Sequence, residues 1–170
     1  MFGDADFAWA DGLRRKHFPP ERNQLRAHLT MFHHLAPALE TELRARLKIL
    51  TKSPAPKARI TGLINLGGGV AYRVMSSDLE ACRDSLAEAF EAHLTPQDRA
   101  PWRPHITVQN KAKAEDAKKL LAHLSANFVE RSVEISGLAV FRYLNGPWEA
   151  VGAWRFGQGH AMQPPTAFRC

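Results

Sequence analysis

The sequence predicts an α+β fold with two lobes, a pseudo-two-fold internal repeat and antiparallel sheets around a central cleft. The first observation is the order of elements, because helix, strand, helix and hairpin follow one another twice, over about residues 4–75 and 77–156. The second is that two short segments recur at nearly equal separations: His28-Leu29-Thr30 as His105-Ile106-Thr107, and Ile60-Thr61-Gly62-Leu63 as Ile135-Ser136-Gly137-Leu138. Together they predict one duplicated domain over residues 1–156.

The first repeat begins with a helix over residues 4–17, which the turn residues Phe18-Pro19-Pro20 end. The pattern then predicts a strand over 26–32, a helix from Pro37 to Leu50, and a hairpin of strands 58–66 and 70–75 joined by three glycines. The pattern predicts no strand before the first helix, so we expect the first N-terminal strand of a symmetric pair to be absent, either because the natural start lies upstream of Met1 or because the protein lacks this edge strand. We expect the sheet edge left by that strand to be open or covered by the C-terminal tail.

The second repeat begins with a helix that the capping-box sequence Ser77-Asp78-Leu79-Glu80 starts. The pattern then predicts a proline-rich loop over 95–104, a strand over 105–109, a helix over 114–128, and a hairpin of strands 131–142 and 148–156. The tail, residues 157–170, has no periodicity, and we expect it to be disordered.

Composition limits the classes of function. The chain has 170 residues and a formal net charge of +6, which favours a polyanionic partner such as RNA or a nucleotide. No stretch has the roughly 18 apolar residues that span a bilayer, and the N-terminus lacks the pattern of a signal peptide. The two cysteines form neither a disulfide framework nor a zinc pattern. We therefore expect a monomer in the cytoplasm with no membrane partner.

Alternation assigns the faces of the two repeated strands. His28 and Thr30 point to one face and Leu29 to the other, and His105 and Thr107 likewise lie opposite Ile106. The apolar faces are expected to pack on helices. A pseudo-two-fold axis would bring the two His/Thr pairs together across one groove.

That arrangement suits in-line phosphodiester chemistry. One imidazole removes a proton from the attacking oxygen, the other protonates the leaving oxygen, and two threonine hydroxyls donate to the phosphoryl oxygens. Neither a metal nor a cofactor is expected. A single His-x-Thr on a strand is most often a polar surface pair, but two copies in register within a repeat favour a functional site.

The motifs His28-Leu29-Thr30-Met31-Phe32 and Pro104-His105-Ile106-Thr107-Val108 resemble those of the 2H phosphoesterase superfamily, in particular its 2′-5′ RNA ligase-like proteins, also described as RNA 2′,3′-cyclic phosphodiesterases. The resemblance implies hydrolysis of 2′,3′-cyclic phosphates, with 2′-5′ ligation as the reverse activity. It also implies that His28 and His105 are the acid/base pair and that Thr30 and Thr107 hold the phosphate. Which histidine is the base stays open.

Five further residues are candidates for substrate binding. Many relatives have an arginine three residues past the second threonine, where this sequence has Asn110 followed by Lys111. Arg73 and Arg142 end corresponding strands and can compensate, or they can be solvated strand ends. Tyr143 can stack on a base.

Two other functions stay open. One is a non-catalytic module that binds RNA or nucleotides and has lost turnover. The other is chemistry on a different cyclic phosphate, such as one derived from ADP-ribose or 2′-5′ oligoadenylate.

Overall fold

The computed structural model describes residues 1–145, 148–158 and 161–162, and all structural statements concern these ranges. Five α-helices lie in them: α1 (Asp4–His17), α2 (Glu40–Leu50), α3 (Ser77–Ala89), α4 (Pro96–Arg99) and α5 (Ala114–Ala126). The strands are β1 (Lys57–Asn65), β2 (Val70–Met75), β3 (His105–Gln109), β4 (Arg131–Glu134), β5 (Gly137–Tyr143), β6 (Trp148–Arg155) and β7 (Ala161–Met162). The α+β class predicted from the sequence is confirmed.

The first sheet has four antiparallel strands in the order β3-β2-β1-β4. One of its faces is apolar and carries fully buried side chains such as Ile60, Val70, Ile106 and Val108. Helices α1 and α5 supply most of the side chains that cover this face, including Ala10 and Leu120. The opposite face of the sheet is left for the site.

The second sheet has three antiparallel strands in the order β5-β6-β7. Trp154 of β6 is buried in its core. It packs there with Leu43 and Leu47 of α2 and Leu86 of α3. Each sheet is therefore backed by one helix from each sequence repeat, and the two halves of the chain are interleaved rather than stacked side by side.

The predicted strand over 26–32 is wrong as a regular strand. It is an extended segment whose one β-contact is an isolated antiparallel bridge between Leu29 and Ile106. The reason is that side chains rather than a neighbouring strand hold its backbone. Asp11 accepts from the Ala27 N–H, and Trp102 donates to the Thr30 carbonyl.

The predicted strand over 131–142 is also wrong as one element, since the chain changes sheets in its middle. Its first part, β4, pairs with β1 and its second part, β5, pairs with β6. At the junction Phe2 forms an isolated bridge with Ile135, and the Ser136 hydroxyl donates to the Phe2 carbonyl at 2.7 Å. The segment ahead of α1 therefore forms one β-bridge rather than a strand. Strands β6 and β7 complete the second sheet.

Smaller corrections concern element ends. Ser76, rather than Ser77, caps α3, since its hydroxyl accepts from the Leu79 N–H at 3.1 Å. Residues 37–39 form a 3-10 turn before α2, and α4 lies inside the predicted proline-rich loop. Part of the tail predicted to be disordered forms β7, while 159–160 and 163–170 lie outside the described residues. Within the described ranges, no helix has the length and apolar character to cross a membrane.

Candidate active site

The bridge between Leu29 and Ile106 brings the two His-x-Thr motifs side by side in opposite directions. In an antiparallel pair the flanking residues meet in reverse order, which puts His28 on the side of Thr107 and Thr30 on the side of His105. Leu29 packs on the core and Ile106 is fully buried. Alternation therefore turns all four polar side chains to the opposite face.

Both histidine rings are held in the same way. His28 Nδ1 donates to the Arg26 carbonyl and His105 Nδ1 donates to the Arg103 carbonyl, each at 2.7 Å. A carbonyl oxygen can only accept, so the proton of each neutral ring lies on Nδ1. Each Nε2, which hydrogen-bonds to no other described residue, is then available to take or give a proton on the open face.

The surroundings of His28 favour its neutral form. Burial lowers its pKa to about 4, against the opposing effect of the hydrogen bond to the Arg26 carbonyl. The positive charges of Arg14, the amino terminus and His105 lower the pKa further. His28 is consequently unprotonated at neutral pH.

Arg14 of α1 links the two motifs from behind. Its Nε donates to Asn23 Oδ1 at 2.7 Å and to the Leu25 carbonyl at 2.8 Å, and its Nη1 donates to the Thr107 carbonyl at 3.1 Å. Burial lowers the pKa of Arg14 to about 10, which leaves the guanidinium charged at neutral pH. One side chain of the first repeat thereby fixes the position of the second motif.

A reciprocal contact comes from α3. Arg83 Nε donates to the Met31 carbonyl at 3.3 Å, and its Nη2 donates to the Asp98 carbonyl. The buried Asp98 carboxylate accepts from the His33 and His34 N–H groups at 2.8 and 3.0 Å, and Trp102 Nε1 donates to the Thr30 carbonyl at 2.9 Å. Residues of the second repeat therefore fix the backbone of the first motif, just as Arg14 of the first repeat fixes the backbone of the second motif. Sequence reasoning missed these residues, because contacts to backbone carbonyls impose no recognisable spacing.

Arg73 and Arg142 are placed differently. Arg73 of β2 pairs directly with His105 of β3, so its exposed side chain shares the site face. Arg142 shares the face of Val140, which packs toward α2, and it forms ion pairs with Glu40 of α2 and with Glu149 at 2.9 Å. In the structure Arg142 is engaged by these two carboxylates, and a role in substrate binding stays a prediction.

The remaining candidates lie at element ends. Asn110 follows β3, and its Oδ1 accepts from the Lys111 N–H at 2.8 Å, within a turn where Lys111 has φ 60°. Tyr143 is 56% exposed and lies on the face of β5 opposite Arg142. Its ring packs against the ring of Trp148 at a tilt of 46°, with the centroids 5.0 Å apart. No group of three His, Cys, Asp or Glu side chains in the described ranges is arranged to hold a metal ion.

The described part of the chain is thus a duplicated α+β domain with two His-x-Thr motifs that a bridge joins in antiparallel order. A family model for the 2′-5′ RNA ligase superfamily matches residues 2–147, and the chain belongs to that superfamily. The resemblance inferred from the motifs is thus confirmed. Membership supports a phosphoesterase or RNA ligase-like activity.

The structure is similar to the crystal structure of TT0787 of Thermus thermophilus. The TM-score is 0.57 at 18% sequence identity, and the match covers 92% of each chain. At this identity the likeness shows the fold alone. No curated protein matches the chain.

Proposed function

We propose that this protein hydrolyses the 2′,3′-cyclic phosphate ends of RNA or of small nucleotides, with His28 and His105 as the acid/base pair. The observation that carries the proposal is the bridge between Leu29 and Ile106, which joins the two His-x-Thr motifs in antiparallel order. Such a site has a proton acceptor and a proton donor on either side of one phosphorus, as in-line displacement requires.

The burial of His28 favours it as the base. A general base must be unprotonated when substrate binds, and the pKa of His28 is lowered to about 4. The negative charge of a bound phosphate raises that pKa again, which strengthens the base at the moment it is needed. His105, more open to the cleft, is then the acid.

Hydrolysis proceeds as one displacement. His28 Nε2 takes a proton from water while the water oxygen bonds to phosphorus. The bond from phosphorus to one ribose oxygen breaks, and His105, which in this step must carry a proton on Nε2 as well as on Nδ1, gives the Nε2 proton to that oxygen to yield a phosphate monoester. Exchange with solvent then returns both rings to their starting states. A 5′-hydroxyl in place of water gives a 2′-5′ bond by the same proton transfers, with the 3′-oxygen as the leaving group.

Hydroxyl groups and one arginine hold the phosphoryl oxygens in this scheme. The Thr30 and Thr107 hydroxyls donate to the oxygens on which negative charge grows. Arg73, across from His105, supplies the positive charge that Asn110 does not. Arg73 forms no ion pair with any residue in the described ranges, so its guanidinium is available to an anion.

The test is the ring-opening rate of cyclic-phosphate substrates with His28→Asn and His105→Asn. Asparagine keeps a donor for the carbonyl that each Nδ1 contacts, so folding should survive. We expect kcat to fall about 10²–10⁴-fold for each variant, the usual contribution of a general acid or base. His93→Asn, which changes an exposed histidine outside the cleft, is the control.

Near-normal rates in both variants would overturn the two-histidine mechanism. Salt-sensitive binding of RNA by the unaltered protein without any product would instead identify a binding module.

A further inference from the structure

A groove of about 640 Å³ runs along the open face of the four-stranded sheet beside His105. Its lining combines two arginines, one hydroxyl, two apolar side chains and one carboxylate: Arg59, Arg73, Thr61, Leu63, Met75 and Glu130. We call it the Arg59 groove. Arg73 connects it to the site, because this residue pairs with His105 on one side and with Gly62 on the other.

Thr61 has a hydroxyl that the fold does not use. Thr61 is the extra residue of a β-bulge between Ile60 and Gly62, and bulges commonly redirect side chains near functional sites. Its Oγ1 is buried and has no hydrogen-bond partner among the described residues. A buried hydroxyl without a partner destabilises the fold, and a ligand that hydrogen-bonds to it recovers that loss.

The equivalent hydroxyl in the second repeat has the hydrogen-bond partner that Thr61 Oγ1 lacks. Ser136 corresponds to Thr61 in the repeated tetrapeptides, and its hydroxyl donates to the Phe2 carbonyl at 2.7 Å. A Cβ at Gly137 would meet the Trp154 carbonyl oxygen at 2.3 Å and Met1 Cε at 2.7 Å, whereas one at Gly62 would meet no described atom within 4 Å. A chain segment therefore fills this position in the second repeat, and the equivalent position in the first is open.

The chemistry of the groove fits a nucleotide. Arg59 pairs with Glu130 at 3.6 Å, a loose contact between two side chains that are both more than half exposed, so an incoming phosphate can replace it. Met75 is 59% exposed and, with Leu63, offers an apolar surface for a base or ribose. The net charge of +6 favours a polyanion.

We propose that the Arg59 groove is a second subsite, which binds the phosphate and base of the nucleotide next to the reacting end. This inference rests on the proposed function and deepens it, because the substrate is then an RNA chain rather than a free mononucleotide. Arg59 contacts the phosphate, the Thr61 hydroxyl donates to one of its oxygens, and Met75 packs on the base.

The experiment compares two substrates, a short oligoribonucleotide with a 2′,3′-cyclic end and a nucleoside 2′,3′-cyclic phosphate. We expect Arg59→Gln to raise KM for the oligonucleotide about 10-fold and to leave the mononucleotide unaffected. Glu130→Gln removes the competing carboxylate and should lower KM for the oligonucleotide. Arg46→Gln is the matched control, since Arg46 on α2 also pairs with an exposed glutamate.

Thr61→Val separates a ligand role from a structural one. Removing a hydroxyl that has no partner should leave stability unchanged or raise it, while KM for the oligonucleotide rises several-fold. A loss of stability with unchanged KM would overturn the role given to Thr61. Equal effects of Arg59→Gln on both substrates, or none on either, would overturn the subsite.

Binding makes the subsite testable apart from turnover. Fluorescence anisotropy with an oligoribonucleotide ending in a 3′-phosphate should show weaker binding by Arg59→Gln. The slope of log K against log salt should fall by about 0.7, the value for one phosphate contact on a single strand. If the unaltered protein opens no cyclic phosphate but this difference persists, the proposed hydrolysis fails and the subsite stands. An unchanged slope and affinity would refute the subsite.

Discussion

His28 and His105 make the same backbone hydrogen bond, each ring donating Nδ1–H at 2.7 Å to the carbonyl two residues before it in the chain. A neutral carbonyl orients the ring and fixes its tautomer without adding negative charge. The two rings are therefore equivalent in their own bonding. Any difference between their catalytic roles must therefore come from their surroundings. The greater burial of His28, which lowers its pKa, is such a difference.

The pH dependence of kcat/KM follows from the lowered pKa of His28. Because that pKa is about 4, His28 is protonated, and lost as a base, only below about pH 4. We expect the acidic limb that His28 causes to lie near pH 4 rather than near 6.5, the pKa of an unperturbed histidine. Initial rates of cyclic-phosphate opening measured across that range test this assignment, and a limb near pH 6.5 that disappears in His28→Asn would contradict it.

Stability must be followed in the same experiment. Since the pKa of His28 is lower in the folded than in the unfolded chain, the unfolded chain binds the extra proton between about pH 6.5 and 4. The contribution of His28 to the free energy of unfolding therefore becomes less favourable as pH falls through this window. Urea unfolding at each pH identifies the range in which rates report on folded protein.

The threonine hydroxyls are expected to act on the rate rather than on folding. Thr30→Val and Thr107→Val remove one donor each while keeping the shape of the side chain, and loss of such a donor costs about 10²–10³ in kcat. The backbone should hold, because Trp102 and Arg14 fix the carbonyls of the two threonines. Stopped assays of product formation measure the loss. Thr→Ser at each position should retain most of the activity, and a fully active valine variant would remove that threonine from the mechanism.

Arg14 is expected to be a positioning residue. Arg14→Met leaves the Leu25 and Thr107 carbonyls without their donor, at a cost of about 2–3 kcal/mol in the free energy of unfolding. It also removes a positive charge that lowers the pKa of His28, so the acidic limb of kcat/KM should move to higher pH. Arg14→Lys keeps the positive charge but loses the several N–H donors of the guanidinium. The acidic limb of kcat/KM should therefore stay in place in this variant, while its free energy of unfolding falls.

Both effects are measured by urea unfolding and by pH–rate profiles of the two variants. Arg22→Met, at an exposed position in the loop after α1, is the control. A limb that does not move in Arg14→Met would show that Arg14 acts on structure alone.

The sequence predicted the elements whose pattern is local. Helix α1 and strand β3 have the predicted ends, because a proline turn and an alternating apolar pattern mark them directly. The predicted strands 58–66 and 70–75 agree with β1 and β2 to within one residue. The four motif residues were identified from their repetition, which needs no knowledge of packing.

What the sequence could not predict depends on distant partners. Residues around Leu29 have strand-like alternation but only one bridge, and the run from 131 to 142 carries no mark of the change of sheet at Ile135. Arg14 reads as an ordinary basic residue near a helix end, although it is buried and bonds to the other motif. Thr61 has no local signal either, because only a bulge and an open neighbouring position distinguish it from Ser136.

Arg14 and Arg83 each connect one sequence repeat to the other. Each arginine starts on a helix of one repeat and ends on the motif segment of the other. The motif of each repeat is therefore supported by a helix of the other, and neither repeat alone has a complete support for its motif. A cut between β2 and α3 should give two fragments that fold only together, rather than two independent folds.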